Sequence, residues 1–404
     1  MRDRQRERGE LEEPERITVT FIDMAYEGHA FARYDDGVVF AEYGIPGERA
    51  TVELYRKHGG VAHGRVVEVH DASPDRVEAP CPYFGVCADC QWQHISYERQ
   101  LELKGHVVRE QLRRIGKFTV QPVTEIVGAD EPLGYRNQVR LSAGKGGALG
   151  FVRRASHSLL PIERCLIAQP VINETLARYQ GKAGAMHQLE VRLGVNTGDI
   201  LIEPPELGEK REGRSYREAL LGRVFEVSGA SFFQSNTHQT ERLIELVIEK
   251  LAPRPGDLLV DAYAGVGIFA ALLAPLVRRV IAIEEAPNAV AASITNTEDL
   301  SNVVCIEGKV EHVLPELNER PDALILDPPR QGCHPDVLAA VLTLGLPRLV
   351  YVSCDPATLA RDLRILVDGG YELLDVTPLD MFPQTFHIEC VASLRRAEDQ
   401  GSRD

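Results

Sequence analysis

The chain has 404 residues, 44% of them apolar and 26% charged, with a formal net charge of −15. That length exceeds one average domain, and the composition is that of a folded globular protein rather than a disordered or fibrous one. No apolar run reaches the roughly 18 residues that cross a bilayer, and the charged start MRDRQRERGELEEPER cannot serve as a secretory leader. A cytoplasmic protein with a solvated N-terminal tail, no membrane partner and cysteines kept reduced or metal-bound is therefore expected.

In chain order, residues 17–75 read as a small all-β barrel. The segments ITVTFID, GVVFAEY, RATVELYRK and AHGRVVEVH alternate apolar and polar residues and are separated by glycine turns. Barrels of this size serve as oligonucleotide platforms or as plain structural modules. Residues 76–235 form a central region. It opens with Cys81, Cys87 and Cys90 in a C-x5-C-x2-C run and continues with a helix over Tyr97–Ile115. Strands follow over Gln138–Ser142 and Ala148–Arg153, and Glu203–Arg217 reads as a polar surface loop. Between Arg99 and Arg154 eleven Lys/Arg stand against five Asp/Glu, a local excess that could meet phosphates although the whole chain is acidic.

Residues 236–396 change to a βαβ rhythm. Strands are expected at Asp257–Asp261, Arg279–Ile283, Ala323–Asp327, Leu349–Ser353, Tyr371–Thr377 and His387–Leu394, with helices at Ile268–Leu276 and Ala286–Thr297. This is the pattern of an open, doubly wound α/β sheet, which binds ligands at the carboxyl ends of its strands.

Chemistry gathers at those ends. Asp261-Ala-Tyr263-Ala-Gly265-Val-Gly267 follows a strand and opens a helix, and Glu284 ends the next strand, where it can accept from two ribose hydroxyls. The third glycine of a dinucleotide fingerprint is missing, and an acidic residue before the glycines suits a cationic amino-acid group better than a pyrophosphate. S-adenosyl-L-methionine carries such a group and has no phosphate. Asp327-Pro-Pro-Arg330 ends another strand, without the aromatic that amino-methyltransferases use to stack a base. Cys354 stands at the tip of Leu349–Ser353, before Asp355-Pro356.

A cysteine facing a carboxylate suits methylation of uracil carbon 5. That carbon becomes nucleophilic only after a thiolate adds to carbon 6, and a base must then take its proton. Glu389, sharing a strand face with His387, is the candidate base, and Arg330 is a candidate aid to the thiolate. Cys81, Cys87, Cys90 and distant Cys165 form a metal-binding pattern for zinc or iron–sulfur, and three clustered cysteines with one remote favour iron–sulfur. Cys305, Cys333 and Cys390 read as packing residues.

Taken together these motifs resemble the RNA 5-methyluridine (uracil-C5) methyltransferase family, over about residues 17–395, and in particular its iron–sulfur-containing 23S ribosomal RNA type. The resemblance implies an N-terminal TRAM domain, from Gly28, Pro46-Gly47-Glu48 and Ser73-Pro74, and a [4Fe–4S] cluster on Cys81, Cys87, Cys90 and Cys165. It implies S-adenosyl-L-methionine binding by Gln234 (in Phe232-Phe233-Gln234-Ser235-Asn236), Tyr263, Gly265, Glu284 and Asp327. Cys354 falls on the family's nucleophile and Glu389 on its proton acceptor. Ile268, Lys309 and Ala264 depart from residues common in the family, and none of them touches the inferred methyl-transfer set. The expected protein is a monomeric RNA-modifying enzyme acting on 23S ribosomal RNA. A transfer-RNA uridine methyltransferase and a non-catalytic RNA-binding scaffold are the alternatives, and intact Cys354 and Glu389 speak against the scaffold.

Overall fold

The computed structural model describes residues 10–35, 37–154, 156, 158–184, 187–204 and 215–397. The expected N-terminal tail therefore lies outside the described residues up to position 9, and the centre of the expected polar loop lies outside them from 205 to 214. The chain divides into two compact units. One comprises residues 1–107, 152–158 and 382–387, and the other comprises 108–151, 159–381 and 388–404.

The first unit is built on a six-stranded sheet: β1 (Glu10–Thr20), β2 (Asp23–Met24), β3 (Ala30–Tyr34), β4 (Gly37–Glu42), β5 (Arg49–His58) and β6 (Val61–Asp71), in the order β1-β5-β6-β4-β3-β2. Ala30, Ala32, Val39, Ala41, Ala50, Val52 and Ala62 are buried, so alternate residues of each strand face one apolar interior. β1 begins at Glu10, inside the run read as a disordered tail, because it pairs in register with β5 from Glu15 to Thr20. The fully buried Glu48 accepts from the backbone N–H of Ile45 and Ser73 and pairs with Arg76 at 2.6 Å. That arrangement satisfies an otherwise costly buried carboxylate at the turn before β5. Helix α1 (Tyr97–Arg114) matches the expected helix, and the division between units falls within it.

The second unit begins with β7 (Gln138–Ala143), β8 (Leu149–Val152) and β9 (Leu159–Pro161), then α2 (Pro170–Tyr179), β10 (Gln188–Leu193) and β11 (Ile200–Glu203). These strands form a five-stranded sheet. The hairpin β12 (Ser215–Leu220) and β13 (Arg223–Ser228) follows, so Ser215–Arg217 is strand rather than loop. Next come α3 (Thr237–Leu251), β14 (Leu258–Ala262), α4 (Ile268–Leu273), β15 (Arg279–Glu284), α5 (Pro287–Thr297), β16 (Val303–Glu307) and the short α6 (Val310–Val313). The chain continues with β17 (Ala323–Leu326), α7 (Pro335–Leu344), β18 (Arg348–Ser353), α8 (Pro356–Asp368), β19 (Tyr371–Leu379) and β20 (Glu389–Arg396).

Seven of these strands make one sheet in the order β16-β15-β14-β17-β18-β20-β19. Its first five strands are parallel, and β20 inserts antiparallel between β18 and β19. β14 and β17 are buried at every position, as strands covered on both faces must be. The order runs outward in both directions from β14, which sets the switch point, and with it the ligand crevice, at the carboxyl ends of β14 and β17.

Candidate active site

Cys354 occupies the turn between β18 and α8. Asp355 caps the helix, its Oδ1 accepting from the backbone N–H of Ala357 and Thr358 at 2.9 Å each, and Pro356 fills the first helical position, where no N–H is needed. The half-buried thiol is thus held between a paired strand and a capped helix. In the antiparallel ladder of β18 and β20, Ser353 stands opposite Cys390. Cys354 follows the last residue of β18 and Glu389 is the first residue of β20, so the two stand at the same end of that ladder. β17 pairs in parallel with β18 as far as Leu326 and Tyr351, so Asp327 sits one residue beyond the ladder on the adjoining tip.

These groups influence one another. Burial, together with the nearby Glu389 and Asp327 carboxylates, pushes the Cys354 thiol up to about 11, while the Arg330 guanidinium hydrogen-bonds the thiol and opposes the rise. Burial pushes Asp327 up to about 7. Glu389 is 3% exposed, and burial with the Asp327 charge raises it well above the usual carboxylate range, again against Arg330. Two carboxyls and a thiol thus share one cation, an arrangement that favours holding a proton between them and suits acid–base work.

The glycine turn lies at the tip of neighbouring β14. Tyr263 has φ 66° and Gly265 φ 55°, and a Cβ on Gly265 would meet nothing within 4 Å, so its backbone faces open space. Gly267, at φ 83°, starts α4 and packs on Ser293, whose Oγ would lie 2.5 Å from an added Cβ. Glu284 closes the turn: its Oε2 accepts from Gly265 N at 2.9 Å and its Oε1 from Ala286 N at 2.8 Å. Fully buried Asp261 accepts from Ala270 N through Oδ2, while its Oδ1 has no partner. Burial and the Asp327 and Glu284 charges push Asp261 up to about 7. A buried acceptor without a partner, beside an open glycine turn, fits a ligand carrying an ammonium or amide N–H.

Gln234 lies in the turn between β13 and α3. Asn137 fixes that turn, donating its Nδ2 to the Gln234 carbonyl at 3.1 Å and its backbone N–H to the Ser235 carbonyl at 2.9 Å. Asn236 then caps α3.

Some expectations change. β20 begins at Glu389, so His387 precedes the strand; it packs on the rings of Phe386 and Phe382, at 4.3 and 5.8 Å, and shares no strand face with Glu389. Among the described residues no group of three or more His, Cys, Asp or Glu side chains is gathered to hold a metal ion, so Cys81, Cys87 and Cys90, which lie together in the first unit, form no preformed part of the expected metal centre. Cys90 is buried, and Cys81, Cys87 and Cys165 are half-buried. The basic excess after Arg99 is also partly internal: Arg99 pairs with Glu102, Arg113 and Arg114 with Glu110, Arg140 with Glu190 and Arg154 with Glu42. Cys333 is more than filler. Its backbone N–H donates to Asp362 and its thiol hydrogen-bonds Tyr263. Neither Tyr351 nor Asp362 stood out in the sequence, because each sits in a helix or strand pattern indistinguishable from ordinary core.

A family model described as tRNA (Uracil-5-)-methyltransferase matches residues 221–313 and 316–397. An uncharacterized RNA methyltransferase of Halalkalibacterium halodurans is 35% identical, the match covering 94% of this chain and 96% of that protein. One of Streptomyces avermitilis is also 35% identical, over 95% of this chain and 99% of its own. Among solved structures, the Pyrococcus abyssi tRNA (uracil-54, C5)-methyltransferase in complex with S-adenosyl-L-homocysteine superposes with a TM-score of 0.72 at 23% identity, covering 94% of this chain and all of that one. That likeness shows a common methyltransferase fold.

Proposed function

The chain belongs to the tRNA (uracil-5-)-methyltransferase family of RNA methyltransferases, and on that premise we propose that it methylates carbon 5 of a uridine in RNA. The observation that carries the reading is the position of Cys354 just after β18 and of Glu389 at the start of its antiparallel neighbour β20, one strand from Asp327 and two from the glycine turn.

S-adenosyl-L-methionine supplies an electrophilic methyl group on a sulfonium, and in this reading Gln234, Tyr263, Gly265, Glu284 and Asp327 hold it, with the free Oδ1 of Asp261 as a further acceptor. The Cys354 thiolate adds to uracil carbon 6, and the electron pair of the ring double bond moves to the carbon 4 oxygen. The enolate's carbon 5 would take the methyl group, the sulfonium carbon–sulfur bond breaking with its electron pair left on sulfur to give S-adenosyl-L-homocysteine. Glu389 then removes the carbon 5 proton, and the returning electron pair expels the thiolate and restores the ring. Arg330 steadies the thiolate. A buried carboxyl with a raised pKa is the stronger base for that proton, which suits Glu389 to the last step. Carbon 6 is covered in a stacked helix, so the uridine must be extruded before the thiol can reach it.

Residues 17–75 read as a TRAM-like RNA platform, 76–235 as the central region and 236–396 as the methyltransferase domain. A [4Fe–4S] cluster on Cys81, Cys87, Cys90 and Cys165 rests on the cysteine spacing and the family resemblance alone, in a structural role, and no step of the reaction runs through it. The cysteine pattern favours 23S ribosomal RNA as the substrate, whereas the name of the matching family model favours transfer RNA. In either case the protein acts as a cytoplasmic monomer. Glu389→Gln is the direct test of the base: with uridine-containing RNA and cofactor it accumulates a protein–RNA adduct stable to denaturing electrophoresis. A variant that turns over normally removes Glu389 from the mechanism.

A further inference from the structure

Arg330 is exposed and sits on the loop after Asp327-Pro-Pro, so something must hold it against a thiol that burial and two carboxylates would otherwise leave without a cation. That loop is pinned residue by residue to one face of α8, the helix that begins immediately after Cys354. Thr358 donates its Oγ1 to the Arg330 carbonyl at 3.1 Å. Arg361 donates its Nη2 to the Gln331 carbonyl at 2.9 Å. Asp362 accepts from Cys333 N through Oδ2 at 2.9 Å. Positions 358, 361 and 362 are spaced i, i+3 and i+4, so the three side chains form one stripe on the helix.

Asp362 is the centre of this stripe. It is fully buried, and its Oδ2 also accepts from Tyr351 Oη at 2.7 Å, while its Oδ1 accepts from Arg361 Nε at 2.8 Å. Gly332, at φ 79°, leaves room for that carboxylate, since a Cβ there would lie 2.5 Å from Oδ2. Cys333 in turn hydrogen-bonds Tyr263 of the glycine turn. One buried carboxylate therefore ties together β18, the first two turns of α8 and the Arg330 loop.

We propose that Asp362, with Thr358 and Arg361, is a positioning residue that sets Arg330 against the Cys354 thiol. Its role in catalysis rests on the reading of Cys354 as the nucleophile, whereas its effect on the thiol does not. Losing Arg330 from the thiol raises the thiol's pKa, and each unit of rise lowers the thiolate fraction about tenfold at a fixed pH below it.

The test compares full-length wild type, Asp362→Asn, Arg330→Ala and the double variant by alkylation of Cys354 with iodoacetamide at about pH 9, near the range where an ordinary thiol reacts, read by mass of the Cys354 peptide. The expected result is slower alkylation of Cys354 in Asp362→Asn, a pH midpoint moved upward, and no further slowing when Arg330→Ala is added. A folded Asp362→Asn protein with wild-type alkylation, or one whose slowing simply adds to that of Arg330→Ala, overturns the proposal. Should Asp362→Asn fail to fold, Thr358→Val, which removes the hydroxyl shared between the Arg330 and Asp355 carbonyls, decides by the same comparison. Wild-type protein that makes no 5-methyluridine would sink the functional reading and leave the alkylation comparison standing.

Discussion

A thiol poised near 11 is almost wholly protonated at neutral pH, and that sets the free protein's reactivity. Adding to uracil carbon 6 requires the thiolate, and the final step requires Glu389 ionised, although burial raises its pKa. Both requirements have the same sign: raising the pH deprotonates the thiol and the carboxyls. Single-turnover methyl transfer should therefore rise as pH increases from about 7 to about 9, over which the thiol and the buried carboxyls lose protons while uridine stays largely neutral. A rate that falls across this window contradicts the assignment of Cys354 as nucleophile with Glu389 as base. That Cys354, Asp327 and Glu284 stand at strand ends was legible in the sequence because each closes an apolar strand run, and strand ends are where an open sheet binds ligands; Glu389 was reached by alternation from His387 and by the family resemblance, since the strand was expected to begin two residues earlier. Asp362 was not legible. A single aspartate inside an amphipathic helix looks like a solvent-facing residue, and only packing reveals that its carboxylate is buried among three donors.

Several elements of the second unit followed from period and punctuation, while β16, the β12–β13 hairpin and helices α2, α3, α7 and α8 went unread. β14, β15, β17 and β18 fall within one residue of the expected bounds at each end, because runs of Leu, Ile and Val bounded by charged or glycine turns leave little choice. β20 starts two residues late. Alternation alone extended it back to His387, whereas the residues before Glu389 leave the ladder and their rings pack on one another. Strand β3, AFARY, went unread because Gly28 and the Asp36–Gly37 turn crowd a five-residue run. The glycine turn allows a prediction at this scale. Gly267→Ala places a Cβ 2.5 Å from Ser293 Oγ at φ 83°, a left-handed conformation that costs a non-glycine residue roughly 1–2 kcal/mol before any clash. The variant should melt lower and bind S-adenosyl-L-homocysteine more weakly by calorimetry. Unchanged affinity would remove this turn from the cofactor site.

For the whole molecule, the lack of a long apolar run argued against a spanning helix, and among the described residues no helix is long and apolar enough to cross a membrane. The local excess of Lys and Arg promised more than the structure delivers, since five of those arginines are neutralised by nearby carboxylates that lie elsewhere in the sequence or one helical turn away. Counting charge along the chain cannot see such pairing. The four-cysteine pattern makes a separable prediction: protein purified without oxygen should be brown and contain iron and sulfide, with four iron atoms per chain expected of a [4Fe–4S] cluster. Colourless protein without iron leaves these cysteines as thiols, and the mechanism stands either way because no step uses the cluster. The central claim is tested most directly by nucleoside analysis of RNA incubated with labelled S-adenosyl-L-methionine and either wild-type protein or Cys354→Ala. The account predicts labelled 5-methyluridine with wild type and none with Cys354→Ala. Label in 5-methyluridine with the variant, or in any other nucleoside with wild type, would contradict it.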